Sequence, residues 1–487
     1  MNKNFGMKPY LIPLKQEDLT KENILLSLEQ ISPVFLDNKA KYEKNYTNYV
    51  NQHEIFNKTR RYEDDGEINN QLAMPNLWEI VEFKTGYSVG HPIEYDPKIK
   101  DLDGEISYLN NHFEKSNKSS CDVDVTTNIY VSGNGYYFIQ PKQYLDIESD
   151  CPYDIFSIDP NTCGKVYSSY IGNNELFDFL VTDIEEDGNV VKTLWSVYTK
   201  DAYYLFETSP DGDDFVLVEE QARPIYKYLP LVEKYANKDR IGLCEIGLSL
   251  QNSIDKIAST ELDNVEDLAN ELLIFRNCSL GRTPEEKRIN LKNAKKNGAI
   301  EINDKNPDIS ADVKTLTQKL EHSDINSLID LLKKELYSSC GVPLSTSDTS
   351  NGGNKTGALE LGNGWENAFI RISKETKVMK KADKEILERV LFIEKSIANG
   401  VIKNLMPENI DIKYNINRSN NLIVKVQAYD LLIKNNVPPE IALNICELTS
   451  DPHSIGTIIK DNTENEMERK VKLLNQENTS ISISGKI

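Results

Sequence analysis

The chain has 487 residues, of which 39% are hydrophobic and 27% charged, and its formal net charge is −21. The length is room for roughly two to four domains or one large elongated subunit, and the composition suits a globular chain rather than a disordered one. So acidic a chain is ill suited to wrapping DNA, because neutralising phosphates needs clustered Lys and Arg. A chain that lets DNA slide past without sticking remains allowed.

No apolar run is long enough for a membrane span, so none is expected. The N-terminal stretch MNKNFGMKPYLIPLK lacks the apolar core of a secretory signal. The cysteines at 121, 151, 163, 244, 278, 340 and 446 form no CxxC pair and are odd in number. Reduced thiols without a special role are expected. No repeat of solenoid period occurs.

In chain order, residues 1 to about 60 read as a polar arm with short helical patches, one around Leu25, Leu26, Leu28 and Ile31 and one from Lys39 to Phe56. In PNLWEIVEFKTGYSVGHPIEY, Leu77, Ile80, Val81 and Lys84 keep helical spacing, with Gly86 and Gly90 as breakers and Pro92 as a stop. From about 120 to 230 the pattern is β-rich. NIYVSGNGYYFI reads as two strands around a Gly-Asn-Gly turn. LFDFLVTDI and NVVKTLWSVYT flank Glu185–Gly188, and AYYLFET and FVLVEE flank Pro210–Gly212, both hairpin signals.

After Pro230 helices dominate. Ile254, Ile257, Ala258, Leu262, Val265, Leu268, Ala269 and Leu272 form one apolar stripe of a helix over 247–273, about 40 Å long. Asp255, Asp263, Glu266, Asp267 and Glu271 spread over the opposite face. LLIFRNCSL and GAIEIN read as strands around a basic helical piece, Pro284 to Lys296. A second helix carries Ile325, Leu328, Ile329, Leu332 and Leu336, and Gly341 and Pro343 end it. The polar loop TSDTSNGGNKT (346–356) precedes a third helix that keeps its apolar alternation from Leu361 to Ile397. Shorter helices are expected around 424–435 and 439–446, with a charged, fraying tail after Asp461.

Enzyme signals are weak. Gly133-Asn134-Gly135 lacks the third glycine and following helix of a phosphate loop and reads as a turn. Asp211-Gly212-Asp213-Asp214 lacks EF-hand spacing. The five histidines form neither HExxH nor HxH, and Cys340 has no histidine within one helical turn. There is no G-x-S-x-G or Walker motif. No catalytic residue, metal or cofactor is expected. The acidic helix face, taken alone, is most simply a solvated face.

Four segments in fixed order carry a family resemblance: TGYSVGHPIEY (85–95), PLVEKYANKDRIG (230–242), NVEDLANELLIF (264–275) and SSCGVPLSTSDTSNGGNKTGALEL (338–361). VPPEIALNICELTSDP (437–452) is a weaker fifth. Together they resemble the portal proteins of long-tailed phages of Gram-positive bacteria, over about residues 40–460. The resemblance implies an α+β portal fold assembled as a ring, typically of about twelve copies. It implies an N-terminal arm (1–39), an α/β wing (40–243), stem helices at 244–273 and 321–341 and a small α/β clip (274–320). A channel loop (342–356), a long wing helix (357–400), a helical crown (401–470) and a flexible tail (471–487) complete it. The clip segment and the region after Pro452 depart most from the family.

The implied function is a channel at one capsid vertex for packaging, retention and ejection of double-stranded DNA. Implied partners are the large terminase, a head–tail connector, the major capsid and scaffolding proteins, other copies of the chain and the DNA itself. No membrane partner is implied, and the location is the virion after assembly in the host cytoplasm. The alternative is another ring-forming phage adaptor or tail protein without a DNA channel. On the portal reading, Asp255, Asp263, Glu266, Asp267 and Glu271 would contribute an acidic channel wall that repels phosphates. Asn351, Gly352, Gly353, Asn354 and Lys355 would form a mobile loop in the channel, with Lys355 its one cation.

Overall fold

The computed structural model describes residues 5–59, 69–142, 151–209, 214–223, 228–269, 272–276, 281, 283–297, 312–316, 322–343, 365–396, 400–416, 422–435, 437–446, 448, 455 and 459. They divide into two compact units, residues 1–417 and 418–487. The fold is α+β, as expected.

The first residues are not a detached arm. Strand β1 (Tyr10–Ile12) pairs in parallel with β5 (Cys163–Ser168), and α1 is one continuous helix, Lys21–Tyr49, rather than two short ones. Thr20 caps it by accepting from the Asn23 N–H, and Pro33 lies inside it. Strands β6 (Glu175–Glu186), β7 (Asn189–Tyr198), β8 (Ala202–Thr208) and β9 (Val216–Ala222) extend β5 as an antiparallel meander. The apolar face of α1 covers this sheet. Ile24, Leu28, Ile31 and Phe35 pack on Phe177, Phe179, Trp195 and Phe206. Trp195 sits at ring-centroid distances of 5.1 to 5.3 Å from Phe179, Phe35 and Phe215. The β6–β7 hairpin forms where its turn residues predict, with Asp187 and Gly188 both at positive φ.

The second core is helical on one side and a small sheet on the other. Helix α2 (Asn76–Val89) runs through Gly86 and ends at Gly90. Helices α3 (Asp103–Lys115) and α4 (Lys118–Ser132) follow. Residues 128–132 were expected to be strand, but they finish α4. Their β-branched and aromatic side chains, Ile129, Tyr130 and Val131, are wholly buried, and burial overrides local strand preference. Gly133 ends the helix at φ 110°, and a Cβ there would lie 2.0 Å from the Arg240 carbonyl oxygen, so only glycine fits. Strand β3 (Asn134–Pro141) then pairs with β4 (Tyr153–Ile158) and with β10 (Leu231–Tyr235).

Helix α5 (Leu243–Ala269) leads to β11 (Leu272–Arg276), α6 (Pro284–Asn297), β12 (Asp312–Leu316) and α7 (His322–Cys340). Strand β11 pairs with β12; the GAIEIN segment lies outside the described residues. Helix α8 (Trp365–Lys395) crosses back over β10 and β3, and β13 (Ile410–Lys413) pairs with β2 (Glu94–Pro97). In the second unit α9 (Leu422–Lys434) packs on α10 (Pro439–Cys446).

Buried charge holds α8 on the sheet. Lys234 Nζ of β10 donates to Asp383 Oδ1 of α8 at 3.0 Å and to the Tyr137 hydroxyl at 3.2 Å, with both charged side chains fully buried. Tyr137 donates to Asp122 Oδ1 at 2.7 Å, Lys118 Nζ lies 2.8 Å from both Asp122 oxygens, and Tyr414 donates to Asp383. Burying these ions is costly, and mutual pairing together with the Tyr137 and Tyr414 hydroxyls is what makes it tolerable.

Candidate functional site

The helix–insert–helix segment is the part of the chain to which sequence reasoning attached a function. The start of α5 meets the end of α7: a Cβ on Gly247 would lie 2.7 Å from Leu336 Cδ1 and 2.8 Å from Leu77 of α2. At the other end, β11 pairs with β12. The two helices are therefore antiparallel and carry the β11–α6–β12 insert at one end. Ile254, Ala258 and Leu336 are buried at the base of the pair, with Leu250, Ile329 and Leu332 packed against them. Further out the apolar stripe is uncovered. Leu262, Val265, Leu328 and Leu331 are 42 to 54% exposed.

The acidic face of α5 is occupied by its own chain. Residues 53–58 and 69–74 run as a strap along it. Asp255, Ser259 and Asp263 accept backbone N–H groups of Met74, Leu72 and Asn70 at 2.9, 2.9 and 2.6 Å. Four residues of helix advance about 6 Å, and two residues of extended chain about 6.6 Å. A stripe at i, i+4, i+8 therefore meets alternate amides of an extended segment running the other way.

Each acidic residue takes a distinct place. Asp255 is 1% exposed, accepts from Gln251 at 2.8 Å and bonds His53 Nδ1 at 2.6 Å, while His53 Nε2 faces the Asn48 carbonyl oxygen at 3.1 Å. A carboxylate so enclosed cannot line a channel, and the expectation for Asp255 is corrected on that ground. Asp263 pairs with Lys58 at 2.7 Å. Burial alone would raise its pKa, but the hydrogen bonds from Lys58 and Asn70 outweigh it and hold the carboxyl below the usual range. Glu266 is exposed and accepts from the Asn70 amide at 3.0 Å. Glu271 and the side chain of Asp267 lie outside the described residues, as do Asn351, Gly352, Gly353, Asn354 and Lys355.

The segment that holds this loop has both flanks seated on α2. On the α7 side, Tyr337 donates to Glu79. On the α8 side, Trp365 lies edge-on to Phe83 and Tyr87 at 5.7 and 6.0 Å. Lys84 reaches Glu375 of α8 at 2.9 Å, and Tyr130 donates to the same carboxylate at 3.0 Å. Arg371 of α8 donates to the Ser339 carbonyl at 2.7 Å, capping the last turn of α7 where Gly341 takes φ 73°. Sequence reasoning missed these anchors; the Phe83–Tyr87 helical pair was the available signal.

Among the described residues no group of three or more His, Cys, Asp or Glu is placed to hold a metal ion, and no helix is long and apolar enough to cross a membrane. The six described cysteines are buried free thiols.

No curated protein matches the chain significantly. Among solved structures it is similar to a chain from "Neck of empty GTA particle computed with C6 symmetry", at 10% identity and a TM-score of 0.42, covering 77% of this chain and 90% of that one. The family model described as "Phage portal protein, SPP1 Gp6-like" matches residues 28–478, nearly the whole of both units. Over that span the chain belongs to the SPP1 Gp6-like family of phage portal proteins.

Proposed function

We propose that copies of this chain close into a ring at one capsid vertex, through which double-stranded DNA is packaged, retained and released. The ring docks the large terminase during filling and a head–tail connector afterwards. The observation that carries this reading is the uncovered outer half of the α5–α7 pair, where Leu262, Val265, Leu328 and Leu331 stand exposed in a single copy. Clustered exposed apolar side chains on a helix pair mark a surface that another chain covers, and a ring supplies that chain by repetition.

The channel wall on this reading differs from the one expected from sequence. Asp255 is withdrawn, and Asp263 is largely spent on Lys58 and the strap. Glu266 stays a candidate, and Asp324, Asp330 and Glu335, all exposed on α7, join it. Repeated around a ring, such carboxylates repel phosphates, so DNA slides under the drive of a separate ATPase. The segment 346–356, with Lys355 as its one cation, would add a contact to the passing DNA.

A packaging assay tests the loop's part. Lys355→Ala and a variant shortened within 346–356 should both package less DNA than the wild type. Wild-type packaging by both removes the loop from the mechanism.

A further inference from the structure

The wing holds an open cavity of about 370 Å³ beside the buried ion-pair network, walled by the β2 strand and its approach, α3 and α4. Its charge is not balanced. Asp96 is paired with Lys413 at 2.7 Å, and Asp122 with Lys118 at 2.8 Å. Glu94 and Glu114 also line it and have no ion-pair partner among the described residues. Two carboxylates are thus left facing one space.

A second observation is independent of that charge. Tyr95, 3% exposed, lines the same cavity, and its hydroxyl meets no donor or acceptor in full hydrogen-bond geometry among the described residues, the Lys118 ammonium being the one charged donor that acts on it. Burial pushes its phenol well above the usual range, so it stays a neutral O–H able to accept from a cation and donate to a carboxylate.

The wall already shows which chemistry it stabilises. The Lys118 ammonium lies 5.2 Å from the ring centroid of Tyr95 and 5.6 Å from that of Phe113. Ring faces attract cations, and carboxylates beside them complete the neutralisation. An anion would meet Glu94 and Glu114 head-on. A bare metal ion would find too few converging ligands in so wide a space. The volume is at the small end of organic ligand sites, enough for a short chain with a charged end.

We propose that this cavity is a binding site for an alkylammonium or guanidinium cation, neutralised by Glu94 and Glu114 and hydrogen-bonded to the Tyr95 hydroxyl. The cation is either a free diamine or the basic side chain of a partner protein, and the chemistry of recognition is the same.

Calorimetric titration of the full chain distinguishes the sources, with putrescine in one arm and a lysine- and arginine-bearing peptide in the other. Saturable binding is expected in at least one. Putrescine binding identifies a free-amine site; binding of the peptide alone identifies a docking site for a basic side chain. The double variant Glu94→Gln/Glu114→Gln should weaken binding about tenfold, as should added salt to a lesser degree. Tyr95→Phe keeps the ring over Lys118, removes only the hydroxyl, and should cost several-fold. Asp187→Asn, at the distant β6–β7 turn, should change nothing. Since Glu94 and Glu114 are not in the core, their double variant retains the fold and carries the test even if Tyr95→Phe does not. No saturable binding of either cation, or equal binding by the wild type and the double variant, overturns the proposal.

Discussion

Asp263 accepts the backbone N–H of Asn70 at 2.6 Å, and the charge expected to face a channel is thereby turned onto the chain's own strap. A side-chain acceptor on a backbone amide fixes the position of the strap along α5, because each amide has one acceptor at the matching height. The base of α5 is tied to the segment before α2 through the strap as well as to α2 through its apolar face.

The strap should loosen locally when its acceptors are removed. Asp263→Ala leaves the Asn70 amide without its acceptor, removes the carboxylate from the Lys58 ammonium and should cost about 1–2 kcal/mol. Ser259→Ala does the same to Leu72 on a smaller scale. Hydrogen exchange at residues 69–74 should accelerate in both variants while exchange in β6 and β7 stays unchanged. Uniform acceleration would mean that the ladder is not a local clamp.

The Lys234–Asp383 pair should be the most sensitive polar contact in the first unit. Asp383→Ala strands a buried ammonium and the hydroxyl of Tyr414, and a loss of about 3–5 kcal/mol in chemical denaturation is expected. Replacing both partners, Lys234→Met with Asp383→Leu, should recover most of that loss, because no charge is then left buried and alone.

Asp178 gives the stability a measurable pH signature. It is fully buried at the junction of β6 with β10, where its Oδ2 accepts the Leu231 N–H at 2.7 Å and Lys165 lies 3.8 Å from Oδ1. Burial, only partly offset by Lys165, pushes its pKa up to about 6. The folded state therefore holds this proton more tightly than the unfolded state. The resulting stability is fully present below the unfolded value near 4 and is lost as pH rises through about 6. Asp178→Asn cannot ionise, so its stability relative to the wild type should rise between pH 4 and 7 by at most about 3 kcal/mol. A difference between the two proteins that is flat across that range would contradict this assignment.

Local signals were legible in the sequence, and non-local ones were not. The long helices α5, α7 and α8 follow from apolar spacing, and the β6–β7 hairpin from Asp187-Gly188, because neighbouring residues decide both. The end of α4 was misread because Ile129, Tyr130 and Val131 favour strands until a core surrounds them. The parallel pairing of β1 with β5 joins residues more than 150 apart and leaves no local trace. The acidic face of α5 was visible as a stripe. What covers it was not, since the strap's contacts with α5 join residues more than 180 positions apart in the chain. The full burial of Lys84, Lys165 and Lys234 was equally hidden, because their partners come from distant elements.

The central claim is that this chain closes into a ring around its stem helices. Cryo-electron microscopy of the purified protein, and of capsids containing it, tests that most directly. The account predicts a closed ring with the α5–α7 pair around a central hole, Leu262, Val265, Leu328 and Leu331 covered by the neighbouring copy, and Asp255 still enclosed beneath the strap. A monomer at high concentration in every salt condition, or a ring whose hole is lined by other elements while these four side chains stay exposed, would contradict it.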